Sequence, residues 1–107
     1  MTPQEIAETK LIGQTVLIRD HMAGVYVGQL AAIDVAEKTA ALEGARQIWS
    51  WEGAAATPGI AAKGVRHGGY TRVGPVVALA AFSDVVAAIL CTAEGATSVM
   101  TAPVWTP

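Results

Sequence analysis

Hydrophobic and polar positions alternate along the first half of the chain in short segments of the kind that forms strands. Residues 15–19, Thr-Val-Leu-Ile-Arg, predict one strand, and residues 25–33 predict a second, with Gly24 at the turn between them. Residues 39–42 and 46–51 predict two further extended pieces, separated by an interruption at Glu43-Gly44-Ala45. The order of these segments indicates a twisted meander.

Threonine and proline at segment starts predict three short helices. Thr2 and Thr57 each precede a proline, so each is expected to cap a helix that the proline then begins. Gly64 follows the second segment and can end it, because glycine adopts the left-handed conformation of helix ends. The predicted helices are residues 3–10, 58–63 and 92–100.

The second half of the chain contains a long apolar segment, residues 73–93, interrupted by Ser83 and Asp84. A central aspartate in a membrane span costs about 2.5 to 3.5 kcal/mol, so two short buried strands are predicted instead of a span. The preceding residues 65–74, rich in glycine and positive charge, predict a mobile loop. The proline-containing tail is expected to be extended, with Trp105 docking on this chain or on a neighbour.

These elements predict a mainly β fold with short helices, of the α+β class, in which residues 1–107 form one domain. The expected architecture is a small, strongly bent SH3-like or Sm-like β-barrel or roll with an N-terminal helix and an inserted short helix. Hydrophobic residues make up 52% of the chain and charged residues 15%, which is more apolar material than one small core can hide. We therefore expect a homo-oligomer.

Charge and cysteine content exclude several classes of protein. The net charge of −2 provides no basic field, so nucleic acid and membrane surfaces are not expected partners. The first ten residues lack the pattern of a signal peptide. A single cysteine, Cys91, rules out a disulfide framework and fits a reducing compartment.

Residues 11–45 carry a spaced pattern of glycines and apolar residues: Gly13, Val16, Ile18, Gly24, Tyr26, Gly28, Leu30, Asp34 and Leu42. In this pattern the segment resembles the first half of the Sm-like family, which implies a bent barrel that assembles into RNA-binding rings. The family's base-contacting asparagine is missing, since residues 35–38 are Val-Ala-Glu-Lys. The resemblance therefore implies the fold and not uridine recognition.

A second set of motifs extends over nearly the whole chain. It comprises Leu-Ile-Gly at 11–13, Val-x-Ile-Arg at 16–19, Ala-Gly-Val at 23–25, Gly-x-Leu at 28–30, Ala-Arg-Gln-Ile-Trp-Ser-Trp-Glu-Gly-Ala at 45–54, and, nearer the C-terminus, Gly-Val at 64–65 and Cys-Thr at 91–92. In these motifs the chain is similar to a family of small tailed-phage and prophage proteins of unknown function. The resemblance implies a phage origin, with the host cytoplasm or the virion as the location.

Two groups of residues are candidates for ligand binding. Arg46, Trp49 and Trp51 combine a phosphate-binding guanidinium with two indoles that alternation places on one face. The alternative is that the tryptophans fill the core or a subunit interface. Around Gly64, Gly68 and Gly69, a second group could neutralise an anion, or could belong to a solvated loop. This group consists of Lys63, Arg66, His67 and Arg72.

No catalytic, metal or cofactor site is predicted. Asp20 and His21 are adjacent, but neighbouring strand residues point to opposite faces, and nothing places a base beside Ser50. His21 and His67 have no partners at metal-ligand spacing. The protein is therefore expected not to be an enzyme.

Three functions remain open. The first is an oligomeric phage protein that sequesters a small anionic ligand, such as an immune signalling nucleotide of the host, and so counteracts defence. The second is a structural or assembly protein of the virion. The third is an Sm-like ring that binds nucleic acid.

Overall fold

Six strands form one open antiparallel sheet, and three short helices flank it. The computed structural model describes all residues from Met1 to Pro107. In chain order the elements are α1 (Pro3–Lys10), β1 (Thr15–Asp20), β2 (Gly24–Asp34), β3 (Thr39–Ser50), α2 (Thr57–Lys63), β4 (Arg72–Val73), β5 (Val77–Phe82), β6 (Val85–Leu90) and α3 (Ala93–Met100). The prediction of a mainly β fold with an N-terminal and an inserted helix is confirmed.

The sheet does not close into a barrel. Its strand order is β4-β3-β2-β1-β6, and β5 pairs with the first half of β3. A closed barrel would need β5 and β6 to pair with each other, but each has a single strand partner. The expected barrel is therefore corrected to an open sheet whose outer strands are β4 and β5 on one side and β6 on the other.

The third strand runs without the predicted interruption. Twelve residues from Thr39 to Ser50 form β3, whereas two separate pieces were expected. The pairing of β2 with β3 shifts register between Val27 and Gln29, and Gly44 adopts a φ of 56°. Such irregularities insert an extra residue without ending a strand. The glycine that suggested a break therefore marks a bulge.

Both faces of the sheet are buried at β1, because successive side chains of a strand point to opposite sides. On one side Leu17 belongs to a helix-side cluster, which is formed by Leu17, Val25, Val27, Ile48, Ile60, Ala61, Val65, Val73, Val99 and Ala102. On the other side Val16 and Ile18 belong to a sheet-side cluster, which is formed by Val16, Ile18, Leu30, Ala40, Leu42, Ala45 and Phe82. The central strand is thus held from both sides.

The helices begin at capping residues, with one exception. Thr2 and Glu5 form a reciprocal capping box at the start of α1, and the Thr92 hydroxyl accepts from the Gly95 amide at 3.0 Å. Thr57 is not a cap, because Ala56 occupies that position and no side chain bonds there. Gly64 ends α2 with a φ of 83°, as predicted.

The segment from β5 to β6 forms two strands, as predicted, but Phe82 is their only buried residue. Leu79 is 63% exposed and Val86 is 52% exposed, and each strand has one neighbour in the sheet. The preceding basic segment includes β4 and is tied to the rest of the chain by the Arg66 amide, which donates to the Glu52 carbonyl at 2.8 Å. No helix has the length and apolar character that crossing a membrane requires.

Candidate functional site

Arg46 is buried at the centre of β3 and binds the end of α3. Its side chain is 2% exposed, and it donates to the carbonyl oxygens of Gly74 at 2.8 Å, Val99 at 3.0 Å and Ala102 at 2.6 Å, with a longer bond of 3.3 Å to Met100. The last carbonyls of a helix lack partners within the helix and carry partial negative charge. They therefore stabilise the positive charge of the buried guanidinium, which has no carboxylate within ion-pair distance.

This environment removes Arg46 from the candidate ligand set. Burial lowers the pKa of the guanidinium, although arginine remains charged in proteins. Its Nε and Nη1 groups are already engaged by main-chain oxygens. An anion could reach it only by displacing the end of α3. Arg46 is therefore a structural residue whose hydrogen bonds join β3 to the end of α3, and we call this set of bonds the latch.

Trp49 and Trp51 have different neighbours, so the expected clamp of two tryptophans on one face does not form. Trp51 packs against the helix-side cluster, and its Nε1 donates to the Ala54 carbonyl at 3.1 Å. Trp49 is 43% exposed and contacts the ring of Trp105. The strand ends at Ser50, so the alternation that would align the two indoles stops between them.

An aromatic and cationic cluster forms around Trp49 on the surface. The ring centroids of Trp49 and Trp105 are 5.6 Å apart, with the planes at 87°. The Arg72 guanidinium carbon lies 4.7 Å from the centroid of the Trp105 ring. Stacked arginine keeps its N–H edge available for an oxyanion, and Arg72 has no carboxylate partner.

The C-terminal tail supplies Trp105 by joining the edge of β4. The Trp105 amide donates to the Val73 carbonyl at 3.0 Å, and Val104 makes a parallel bridge with Val73. Trp105 therefore docks on its own chain, which was one of the two expected alternatives. It was not among the predicted ligand-binding residues, and the only signal for it was a tryptophan in a proline-rich tail.

A small cleft separates this tail from the glycine-rich loop. Its volume is about 250 Å³. The loop side contributes the exposed Gly68 and Gly69, which have no side chain to keep a ligand from the main chain, and the tail side contributes Trp105. We call it the tryptophan cleft, and its lining residues are His67, Gly68, Gly69, Thr71, Pro103, Val104, Trp105 and Thr106.

The basic residues of the predicted loop are divided between several partners. His67 lines the tryptophan cleft, and its Nε2 lies 2.7 Å from the Ser98 carbonyl. Arg66 is 3.9 Å from the Glu52 carboxylate, which also accepts from the Tyr70 amide at 3.2 Å. Lys63 lies exposed at the end of α2 and does not line the cleft. Of these predicted ligands, the cleft brings in His67 alone.

The groups considered for catalysis have structural partners. The Asp20 carboxylate accepts from the amides of Met22 at 3.0 Å, Ala23 at 2.9 Å and Asp84 at 3.0 Å. Burial acts to raise the pKa of this carboxyl, but the amide donors outweigh it, so its pKa lies below the ordinary value. The Ser50 hydroxyl donates to the Tyr70 carbonyl and has no base beside it.

Other reactive or metal-binding groups do not form a site. Burial raises the pKa of the Cys91 thiol to about 11, which disfavours the nucleophilic thiolate. No group of three or more His, Cys, Asp or Glu side chains is arranged to hold a metal ion. The arrangement around Trp49 and Trp105 can therefore stack and neutralise a ligand, and it contains no residue pair for acid-base or nucleophilic chemistry.

Comparison with known proteins gives a family and no activity. Residues 13–99 match the family described as Domain of unknown function (DUF6948). No curated protein and no solved structure matches the chain. A family of unknown function was expected, whereas the phage origin and the Sm-like relationship stay predictions. Because the match spans most of the chain, the protein belongs to the DUF6948 family.

Proposed function

We propose that the protein is a non-enzymatic binding protein that holds a small, planar, anionic ligand of the nucleotide class at the tryptophan cleft. The observation that carries this proposal is the juxtaposition of Trp49, Trp105 and Arg72 beside a glycine-rich loop. An indole stacks on any base, and the arginine and the loop amides suit the phosphate. The cleft volume of about 250 Å³ suits a small ligand better than a polymer.

The ligand contacts follow from exposure and charge. Trp49 and Trp105 are 43% and 36% exposed, so both rings retain surface for stacking. Arg72 does not line the cleft but lies against the Trp105 ring that does, and it supplies the cation because Arg66 is shared with Glu52 and Arg46 is buried. His67 borders the cleft, and its Nε2 lies 2.7 Å from the Ser98 carbonyl.

The physiological setting follows from the resemblance to tailed-phage proteins. In that setting the protein acts in the host cytoplasm as an oligomer that sequesters a signalling nucleotide of host immunity. Capture without turnover requires only affinity and abundance, which agrees with a site that has stacking groups and no catalytic pair.

Calorimetry with a panel of cyclic and linear nucleotides tests the proposal. We expect binding heat for at least one of them. Trp105→Ala is expected to weaken that binding by roughly tenfold or more, because one stacked base is worth about 1–3 kcal/mol. Arg72→Gln is expected to weaken ligand binding more at low salt than at high salt, because salt screens the attraction between the guanidinium and the phosphate.

Arg19→Gln is the matched control for the loss of one positive charge. Arg19 is exposed on β1, which two other strands separate from β4. This variant is expected to bind as the unaltered protein does. No heat from any nucleotide, or unchanged affinity in Trp105→Ala, would contradict the proposal.

A second candidate is a structural or assembly protein of the virion. The observation that favours it is exposed apolar surface on β5 and β6, including Leu79 at 63%, Val86 at 52% and Leu90 at 47%. Mass spectrometry of purified particles decides this candidate. Detection of the chain at stoichiometric amounts supports it, and absence of the chain eliminates it.

A further inference from the structure

The strands β5 and β6 are consecutive in the chain but lie at opposite edges of the sheet. Only Ser83 and Asp84 separate them, a spacing at which antiparallel strands commonly pair as a hairpin. Instead β5 pairs with β3 and β6 pairs with β1. Each strand therefore has one edge whose main-chain amides and carbonyls have no strand partner.

Hydrogen bonds at the corner hold the two strands apart. The Val85 amide donates to the Lys38 carbonyl, and the His21 amide donates to the Asp84 carbonyl, both at 2.9 Å. The Asp84 amide donates to the Asp20 carboxylate at 3.0 Å. These bonds tie the corner to the two turns that flank β2, so β5 and β6 cannot fold together without breaking them.

Neither edge carries the features that normally prevent strands from pairing between molecules. Such edges are usually protected by charged side chains, prolines or a covering element. The sequences Val-Ala-Leu-Ala-Ala-Phe of β5 and Val-Val-Ala-Ala-Ile-Leu of β6 contain neither charge nor proline. Their exposed apolar side chains are Val77, Leu79, Val86 and Leu90, at 40%, 63%, 52% and 47%.

An apolar cleft lies beside β6. It has a volume of about 390 Å³ and is formed by α1, the turn between β2 and β3, and the first residues of β6. Its apolar lining includes Ile6, Leu11, Ile33, Val35, Val86 and Ala88. A strand added at the edge of β6 would find space here for apolar side chains on one of its faces.

We propose that the open edge of β5 in one copy pairs with the open edge of β6 in a second copy of this chain. The inference rests on the oligomeric part of the proposed function and specifies its interface. One kind of contact then covers both edges, whereas pairing β5 with β5 leaves every β6 edge open. The two strands match in length at six residues each and in their lack of charge.

This contact joins two different surfaces, so the assembly does not stop at a dimer. Contacts of that kind generate closed rings or extended filaments. A standard interface takes about 800 Å² from each partner, so two contacts per copy would cover roughly a quarter of the 5953 Å² surface. None of the residues that line the tryptophan cleft belongs to β5 or β6.

Light scattering and native mass spectrometry of the full chain and of two edge-blocked variants test this inference. Val77→Lys with Leu79→Lys blocks β5, and Val86→Lys with Leu90→Lys blocks β6, since lysine disfavours pairing at an edge. The unaltered protein is expected to exceed a dimer in mass. Each blocked variant alone is expected at the monomer mass of 11.0 kDa.

Mixing the two blocked variants distinguishes pairing of unlike edges from pairing of like edges. Each variant keeps the edge that the other has lost, so the mixture is expected to form a one-to-one heterodimer that cannot extend. A monomeric unaltered protein, a blocked variant that dimerises alone, or a mixture that stays monomeric would each overturn the proposal.

Ile12→Lys with Met22→Lys provides the matched control. Both side chains are exposed and apolar, at 36% and 82%, and neither belongs to β5 or β6. This variant adds the same charge and is expected to assemble normally. If this variant fails to assemble, added charge, and not the blocking of an edge, accounts for the lower mass of the lysine variants.

Hydrogen exchange of the unaltered protein tests the same interface without any substitution, so it does not depend on whether a lysine variant folds. The amides of β5 and β6 that face outward are expected to gain protection on concentration, and amides of exposed loops are not. Equal exchange at all concentrations would overturn the proposal. Nucleotide calorimetry on the folded, edge-blocked monomers separates the two proposals, because the tryptophan cleft lies within one copy.

Discussion

The two halves of β3 have opposite surroundings, although they belong to one continuous strand. The second half pairs with β4, lies under α2 and α3, and contributes Arg46 and Ile48 to a fully covered face. The first half pairs with β5, beyond which the sheet ends, and Leu79 opposite Glu43 stays exposed. The second half of β3 is therefore covered on the helix side, whereas the first half contributes Ala40 and Leu42 to the sheet-side cluster and leaves its other face exposed.

This difference assigns separate roles to the two halves. On the helix side, main-chain carbonyls engage Arg46 and fix the end of α3, from which the tail continues to Trp105. On the open side, no element of the chain covers the edge of β5. The second half of β3 therefore contributes to the stability of one copy, and the first half adjoins the surface that is available for contact between copies.

Arg46→Met is expected to have the largest effect on the free energy of unfolding. The substitution keeps an apolar stem but leaves the carbonyls of Gly74 and Ala102 without a donor. Each unsatisfied buried polar group costs about 1–3 kcal/mol, so a loss of about 3 kcal/mol or more is expected. Urea unfolding followed by circular dichroism measures it.

Arg46→Lys and Arg19→Met are the controls for this prediction. Lysine keeps the charge and part of the donor capacity, so it is expected to recover part of the loss. Arg19 is exposed, and its substitution is expected to change stability by less than about 0.5 kcal/mol. Equal stability of Arg46→Met and the unaltered protein would show that the latch is not a source of stability.

Asp20→Asn tests the corner that holds β5 and β6 apart, with an expected cost of about 2 kcal/mol at neutral pH. Three amides donate to this carboxylate and lower its pKa in the folded state. The stabilisation is therefore present above the unfolded pKa of about 4 and is lost as pH falls through the lower folded pKa.

Unfolding measured between pH 7 and pH 2 checks both the size and the direction of this effect. The difference between Asp20→Asn and the unaltered protein is expected to shrink as the solution is acidified. Glu37→Gln, on the exposed turn between β2 and β3, is the control. A difference that grows towards low pH would contradict the assignment.

Leu79→Ala is expected to have the smallest effect, less than about 0.5 kcal/mol at dilutions where single copies predominate. The same substitution at Leu42, which is fully buried on the neighbouring strand, is expected to cost about 2–5 kcal/mol. Dilute urea unfolding of the two variants measures the contrast. A comparable loss at both positions would show that the exposed face of β5 is as well packed as the buried face of β3.

Local patterns predicted most of the elements because their causes are local. The Thr2 cap, the Gly64 helix end and the hairpin at Gly24 depend on residues a few positions apart. The errors arose where the cause is distant in sequence. Gly44 indicated a break but forms a bulge, because β2 and β5 pair on either side of β3.

The candidate site was predicted less well than the fold. An arginine beside two tryptophans suggested one cluster, but Arg46 turned to the carbonyls at the end of α3 and Trp51 to the helix-side cluster. Trp49 was found on the surface, where Trp105 from the tail contacts it. Spacing along a strand cannot predict a partner 56 residues away, because chain topology decides that contact.

By itself, the sequence determined the element types, the turns and the surplus of apolar residues, since these depend on local conformational preference and composition. Only the tertiary structure decided which apolar residues became core. It buried Leu42 and exposed Leu79 because they lie on opposite faces of the sheet: Leu42 pairs with Ala80 on the face of the sheet-side cluster, and Leu79 pairs with the exposed Glu43 on the other face. It likewise made Arg46 the donor of the latch and Arg72 a surface cation, because burial and hydrogen-bond partners exist only after the strands and helices pack.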